Sequence, residues 1–410
     1  MPIRSVPEHD LLVASSCRFG GITPTIERVL EGEIDWTYLT RICLQHRVAP
    51  SLLTALDGVD TRLVPQEFLE TLRWFCADQH SKSLEIVSEL FEILDALSSR
   101  GVRAVPFKGP LLGEVLFGAI GARLPGDIDL LVQRRDVSAV LEVLEAREYE
   151  DAGAHPTAPR MNATQRTMYE RGQCEYQFVR PSDDMVVEPH WELSQRPLAL
   201  DVDYDGMLQR AELAQVCGRA LPMLAPEDLM LALCAHGAKH QWQRLSWIRD
   251  VAGVLARWPG LDWAALVARA HHRGCGRILM LGLAVAAECS NMQLEPGVAR
   301  VIAADSQIAH LKSFVLSRIF DEHQIEPRND RVDAFRLRLR ERWSDRFKYA
   351  ALTLVTPRRR HIELLPLPRL LGWAYYPIKI GLDFALIPAR SAIWRSSSLE
   401  KPEKSSGEQI

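Results

Sequence analysis

Most features that announce a function at a glance are missing from this 410-residue chain. Its eight cysteines (Cys17, Cys43, Cys76, Cys174, Cys217, Cys234, Cys275 and Cys289) form no C-x-x-C pair and no zinc-ligand spacing. That excludes a dithiol redox motif and a structural zinc site, and leaves them as reduced packing residues. Neither sign of charge dominates: 49 basic against 53 acidic side chains leave a net charge of −4, so no bulk field points to a dedicated nucleic-acid binder. The N-terminal residues lack a basic region followed by a sustained apolar core, so no secretory signal is expected. A cytoplasmic protein without disulfides follows as the expectation. Long apolar runs are scarce. The most apolar late segment, Leu370 to Pro388, is interrupted by Pro377, Lys379 and Asp383, and no transmembrane span is expected.

What is present is an ordinary globular composition, 47% hydrophobic and 25% charged, on a chain long enough for two or three structural units. Apolar residues recur at helical spacing from about Gln66 to Ser99 (Phe68, Leu72, Phe75, Leu84, Val87, Leu90, Ile93, Leu97), and Arg100-Gly101 supplies a stop. From Val102 the pattern changes to strand, short helix (Pro110 to Phe117) and strand (127 to 132), then a helix capped by Asp136. Residues 153 to 171 show no clear period and read as a surface excursion. Glu175 to Val179 and Met185 to Pro189, joined by Pro-Ser-Asp-Asp, read as a hairpin. After Leu200 only helices are expected, at Pro226 to His240, Trp247 to Trp258 and Trp263 to His272. The expectation is an α+β protein with a small mixed β-sheet, flanked by an N-terminal helical region (1–100) and a larger C-terminal α-helical domain (196–350). The sheet core occupies 101–195, an apolar and basic extension 351–395, and a disordered tail 396–410.

Chemistry is concentrated at Asp127-Ile128-Asp129-Leu130. Residues two apart on a strand share a face, so both carboxylates point one way while Ile128 and Leu130 enter the core. Two such acids repel each other unless a cation lies between them, and Mg2+ prefers carboxylate and phosphate oxygens. A lone D-x-D is also a common solvated strand end; its neighbours argue for more. Phe107-Lys108-Gly109 closes the preceding strand with a cation and a glycine that admits a phosphate close to the backbone, Arg123 lies four residues before Asp127, and Glu188 lies on a strand suited to pair beside them. Three carboxylates on adjacent strands suit two-metal phosphoryl transfer.

These residues resemble the nucleotidyltransferases of the DNA polymerase beta-like superfamily, and within it a bacterial family described as uncharacterised. The resemblance rests on 107–109, on Arg123 with 126–132, on Val-Glu-Pro-His-Trp at 187–191, and on Ala-Pro-Glu-Asp-Leu, Cys-Ala-His-Gly-Ala-Lys-His, Trp247 and Asp250. It implies metal-dependent transfer of a nucleoside monophosphate from an NTP, with Asp127, Asp129 and Glu188 as catalytic carboxylates holding Mg2+ or Mn2+. It further implies that Lys108, Gly109 and Arg123 handle phosphate. The acceptor (a protein, a small molecule or RNA) and the preferred base are not implied. Lys108-Gly109 replaces the family's usual glycine-serine, and Glu188 stands where aspartate is usual.

His236 and His240 lie one turn apart, but Gly237 replaces the glutamate a zinc protease needs. Two readings of the pair stand side by side: packing between helices, paired to an acid such as Asp250, or a place in the cleft where Lys239, His240 and Arg244 hold the nucleotide tail. His190 reads as support for a metal ligand, Trp191 as core. The arginine-rich stretch 336–348 reads as one amphipathic helix with a solvated basic face, or as a surface through which 336–360 touches nucleic acid or a membrane, with Trp343 and Phe347 stacking or inserting. Two functions of other classes follow: a catalytically inactive nucleotide-binding or regulatory module, and an RNA- or membrane-associated partner protein.

Overall fold

The computed structural model describes residues 6–153, 161–198, 202–321 and 332–383. At its centre is a five-stranded mixed sheet in the order β1-β2-β5-β4-β3, formed by β1 (Ala104–Pro106), β2 (Ile128–Val132), β3 (Glu150–Asp151), β4 (Phe178–Arg180) and β5 (Met185–His190). The fold is the expected α+β arrangement. β1 is an edge strand, which is where Pro106 is tolerated. β2 and β5 run parallel with Asp129 opposite Glu188, and every other pairing in the sheet is antiparallel.

The helix Gln66–Ser99 spans the expected residues, and Gly101, at φ +72°, closes it in the left-handed conformation. Its stripe is offset at one place: Leu84 is exposed and Ser83 buried. One face of the sheet, with Ile128, Leu130 and Val132, packs against the second half of this helix and against Val137–Ala146. Val105, Phe107 and Leu131 point the other way and join a larger core. That core also takes in the helix Pro7–Cys17 and the helices Pro226–Lys239, Leu245–Arg257 and Gly276–Ser290. The N-terminal helices and the C-terminal helical region thus share one hydrophobic interior, and Asp127 and Asp129 emerge from the sheet beside it.

Four local readings are corrected. Residues 212–223, expected to be helical, form the hairpin β6 (Glu212–Val216) and β7 (Arg219–Met223). Its two-residue turn, Cys217-Gly218, has both φ angles positive, the geometry that matches strand twist. The excursion at 153–171 contains a helix, Ala163–Gly172, begun by a reciprocal capping box between Asn162 and Gln165. Asp136 makes no side-chain cap and instead ends a 3-10 turn that runs into the next helix. The arginine-rich stretch is two helices, Ala334–Arg338 and Trp343–Val355, rather than one. Arg336 and Arg340 turn inward there, donating to the carbonyls of Lys239 and Leu198, so the basic face is only partly solvated. Trp343 and Phe347 remain exposed. No helix among the described residues is long and apolar enough to cross a membrane. Residues 384–410, including the expected tail, lie outside the described residues.

Candidate active site

A cleft of about 300 Å3 opens between the carboxylate-bearing strands and the helices Pro226–Lys239 and Leu245–Arg257. Asp127, Asp129, Glu175 and Glu188 form its acidic wall, and Arg47, Lys108, Arg123, Lys239 and Arg244 supply five cations around it. All the sequence-selected site residues (Lys108, Gly109, Arg123, Asp127, Asp129, Glu188, Lys239 and His240) line this one cleft.

Asp129 is buried. Burial by itself raises a carboxyl, but the Lys108 charge (Nζ to Oδ1, 2.8 Å) and the His190 hydrogen bond (Nε2 to Oδ1, 3.0 Å) outweigh it and hold Asp129 well below the ordinary range. Asp127 has no such partner. Although its side chain reaches solvent at the cleft mouth, partial burial and the charges of Glu188 and Asp129 push it up to about 6. The acidic group therefore contains one carboxylate whose charge is unfavourable without a cation. His190 Nε2 also lies 3.5 Å from Glu188, and its Nδ1 lies 3.1 Å from Glu175. Burial disfavours its charge, yet Glu175 and Asp129 more than offset this, so the imidazole is held protonated. The groups that could hold a metal here are chiefly carboxylate oxygens, with the His190 ring beside them. Asp129, Glu188 and His190 bring their polar atoms within 4.8 Å of one another, with Asp127 electrostatically coupled to both acids.

The cationic residues differ in freedom. Arg123 is clamped, its Nε donating to both oxygens of buried Asp250 at 3.1 and 3.2 Å and its Nη1 to the Gly109 carbonyl at 3.1 Å. It braces the Lys108-Gly109 turn, where Gly109 sits at φ +75° and a Cβ would meet the Asp127 carbonyl at 3.4 Å. Arg47, left-handed at φ +58°, donates to the carbonyls of Leu124 and Pro125 and so holds the loop leading into Asp127. Lys239 pairs with Glu175 at 3.3 Å. Asp250 belongs to Arg123 and does not pair with the histidines. His236 and His240 pack on Trp247, centroids 5.1 Å apart in each case, and burial with nearby cations keeps both neutral, His240 down to about 3. Arg244 lies over the Trp247 ring at 5.3 Å.

Two cleft residues carried no sequence signal. Arg47 comes from the N-terminal helices, remote from any motif. Glu175 precedes β4 and is joined to His190 by an isolated backbone bridge, and its place beside the hairpin concealed its role as the side-chain anchor of both His190 and Lys239. A profile of the family described as "Uncharacterised nucleotidyltransferase" matches residues 32–291. No curated protein matches the chain.

Proposed function

Because this chain belongs to the uncharacterised nucleotidyltransferase family, we propose that its cleft moves a nucleoside monophosphate from an NTP to an acceptor. The observation that carries the proposal is the convergence in one cleft of Asp127, immediately before β2, with Asp129 on β2 and Glu188 opposite it on the parallel β5, facing a wall of cations. Strand, helix, strand and acids on adjacent strands also support membership of the polymerase beta-like superfamily. In the reaction an acceptor oxygen forms a bond to the α-phosphorus, the bond to the β-phosphate bridging oxygen breaks, and pyrophosphate leaves. The acceptor's proton passes to one of the three carboxylates. A divalent cation, Mg2+ or Mn2+, held by Asp127, Asp129 and Glu188 would neutralise the charge that develops on the phosphates.

The chain's own groups do the positioning. Lys108, at the seam between acids and cations, takes the place of the family's serine in holding the triphosphate. Lys239 and Arg244 extend the positive wall toward the pyrophosphate, and Arg123 keeps the Lys108-Gly109 turn rigid. His190, fixed between Glu175 and Asp129, sets the orientation of Asp129 and Glu188.

The test uses each labelled NTP with Mg2+ or Mn2+ and acceptors from cell extract, alongside an Asp127→Ala/Asp129→Ala double variant. Label transfer by the wild type and not by the variant supports the enzyme. Metal-dependent NTP binding without transfer identifies an inactive nucleotide-binding module instead. A wild-type protein that neither binds nor transfers NTP refutes the nucleotide reading.

A further inference from the structure

A second cleft, of about 600 Å3, lies between the Pro7–Cys17 helix with its following loop, the Ala49–Leu56 helix and the later turns of the Leu245–Arg257 helix. Its polar lining is one-sided. Arg18, Arg249 and Arg257 contribute three guanidinium groups, serine and threonine hydroxyls surround them, and no carboxylate lines it. In a chain of net charge −4 that segregation is informative. No described ion pair involves Arg18 or Arg257, and Arg249, whose charge the buried Asp250 carboxylate favours, spends one donor on the Ala122 carbonyl at 2.7 Å.

Buried polar atoms without partners lie in the same lining. Ser16 is 1% exposed and Ser51 5% exposed, and neither Oγ has a hydrogen-bond partner among the described residues; the Arg18 Nε is likewise buried and unpartnered. A buried donor left without a partner is unfavourable, so three in one cleft point to an external acceptor of several hydrogen bonds. Arg249, 8% exposed, is desolvated and stacked over Phe117, 3.4 Å from its guanidinium carbon to the ring centroid. Gly253 makes that approach possible, since a Cβ there would come within 2.7 Å of the Phe117 ring. Phe19 stacks on Phe117 in turn, giving the cleft an aromatic end beside its cationic one.

We propose that this cleft is a binding site for a small organic phosphate, its phosphoryl group held by Arg18, Arg249, Ser16 and Ser51 and its apolar body against Phe19 and Phe117. A phosphoryl group offers three oxygens and close to two negative charges, which match several guanidinium and hydroxyl donors better than a carboxylate does. The site is separate from the acidic cleft, although both draw on the Leu245–Arg257 helix: Ser246 and Trp247 line the first, Arg249 and Arg257 the second. The proposal does not depend on the chemistry of the acidic cleft.

Calorimetric titration of the full chain with phenyl phosphate, inorganic phosphate and benzoate tests it. Saturable binding of phenyl phosphate is expected, with inorganic phosphate and benzoate each about tenfold weaker. Arg18→Gln and Ser51→Ala, checked for native circular dichroism, should each weaken phenyl phosphate about tenfold. Arg244→Gln, in the acidic cleft, should leave it unchanged. Absence of saturable binding overturns the proposal, as does binding that survives both Arg18→Gln and Ser51→Ala or disappears in Arg244→Gln. Equal affinity for benzoate overturns the assignment to phosphate.

Discussion

Asp127→Asn should stabilise the protein in chelator and abolish its response to magnesium. In the folded chain the Asp127 carboxyl is raised from 3.8 to about 6 by partial burial and by Glu188 and Asp129. A folded pKa above the unfolded one means that the group favours folding when protonated, below about pH 4, and that this advantage is lost as pH rises through about 6. At pH 7.5 the charged carboxylate therefore opposes folding. A shift of that size corresponds to about 3 kcal/mol at face value, but Asp127 is open to solvent, and screening reduces the expected effect to about 1 kcal/mol. Asparagine keeps the shape and removes the charge, which should raise the melting temperature by roughly 1–2 °C in EDTA at pH 7.5. At pH 5 the gain should shrink, because wild-type Asp127 is by then largely protonated. With 10 mM Mg2+ the order should reverse: the wild type gains stability by mass action and the variant does not. Thermal melts at two pH values, with and without metal, give the whole pattern. A variant that melts below wild type in EDTA, or that keeps the full magnesium response, would refute the assignment of Asp127 to a cation site.

Three other substitutions probe the cleft and the core behind it. His190→Gln removes a buried cation from between Glu175, Asp129 and Glu188, and should cost about 3–5 kcal/mol in a urea titration at pH 7. Because the folded imidazole is raised well above 6.5, the wild-type advantage is full below the unfolded value and fades as pH climbs through the raised one. Arg123→Lys cannot hold both oxygens of Asp250 and the Gly109 carbonyl together, so NTP transfer should fall at least tenfold with folding retained, read from kcat/KM beside circular dichroism. Gly237→Ala would gain up to about 1 kcal/mol of helix propensity, yet its Cβ would lie 2.5 Å from the ring of fully buried Trp242. Overpacking should dominate, leaving a net loss of about 1–2 kcal/mol in denaturant melts; a net gain would show that Trp242 yields readily.

The parts of the fold that were legible from sequence are those where local chemistry and tertiary packing agree. The helix Gln66–Ser99 has a long periodic stripe and a glycine stop, and the Trp263–His272 helix begins at an aspartate that does cap it. Legibility failed where a short signal competed with a longer expectation. Cys217-Gly218 is a hairpin turn, but the helical segments on either side concealed it. In the arginine-rich stretch the polar period suggested solvent, whereas Arg336 and Arg340 find carbonyl acceptors inside the protein, at helix ends where such acceptors are exposed.

The same division runs through the cleft, where one cation, Arg47, and one acid, Glu175, escaped the sequence reading while the other charged residues that line it did not. Asp127 and Asp129 share a face by strand alternation, a local consequence of sequence, and Glu188 carries the same alternation on β5, which pairs beside them. Arg47 and Glu175 act across long distances in the chain: Arg47 reaches carbonyls 77 and 78 residues away, and Glu175 meets Lys239, 64 residues away. No spacing rule encodes such contacts; they exist only once the N-terminal helices and the Pro226–Lys239 helix share a core with the sheet. Asp127, Asp129, Glu188 and the paired Lys108 could therefore persist in a sheet whose helical surroundings had loosened, whereas the contacts of Arg47 and Lys239 could not. Mutations in that shared core, remote from the cleft, should for this reason weaken NTP binding more than metal binding.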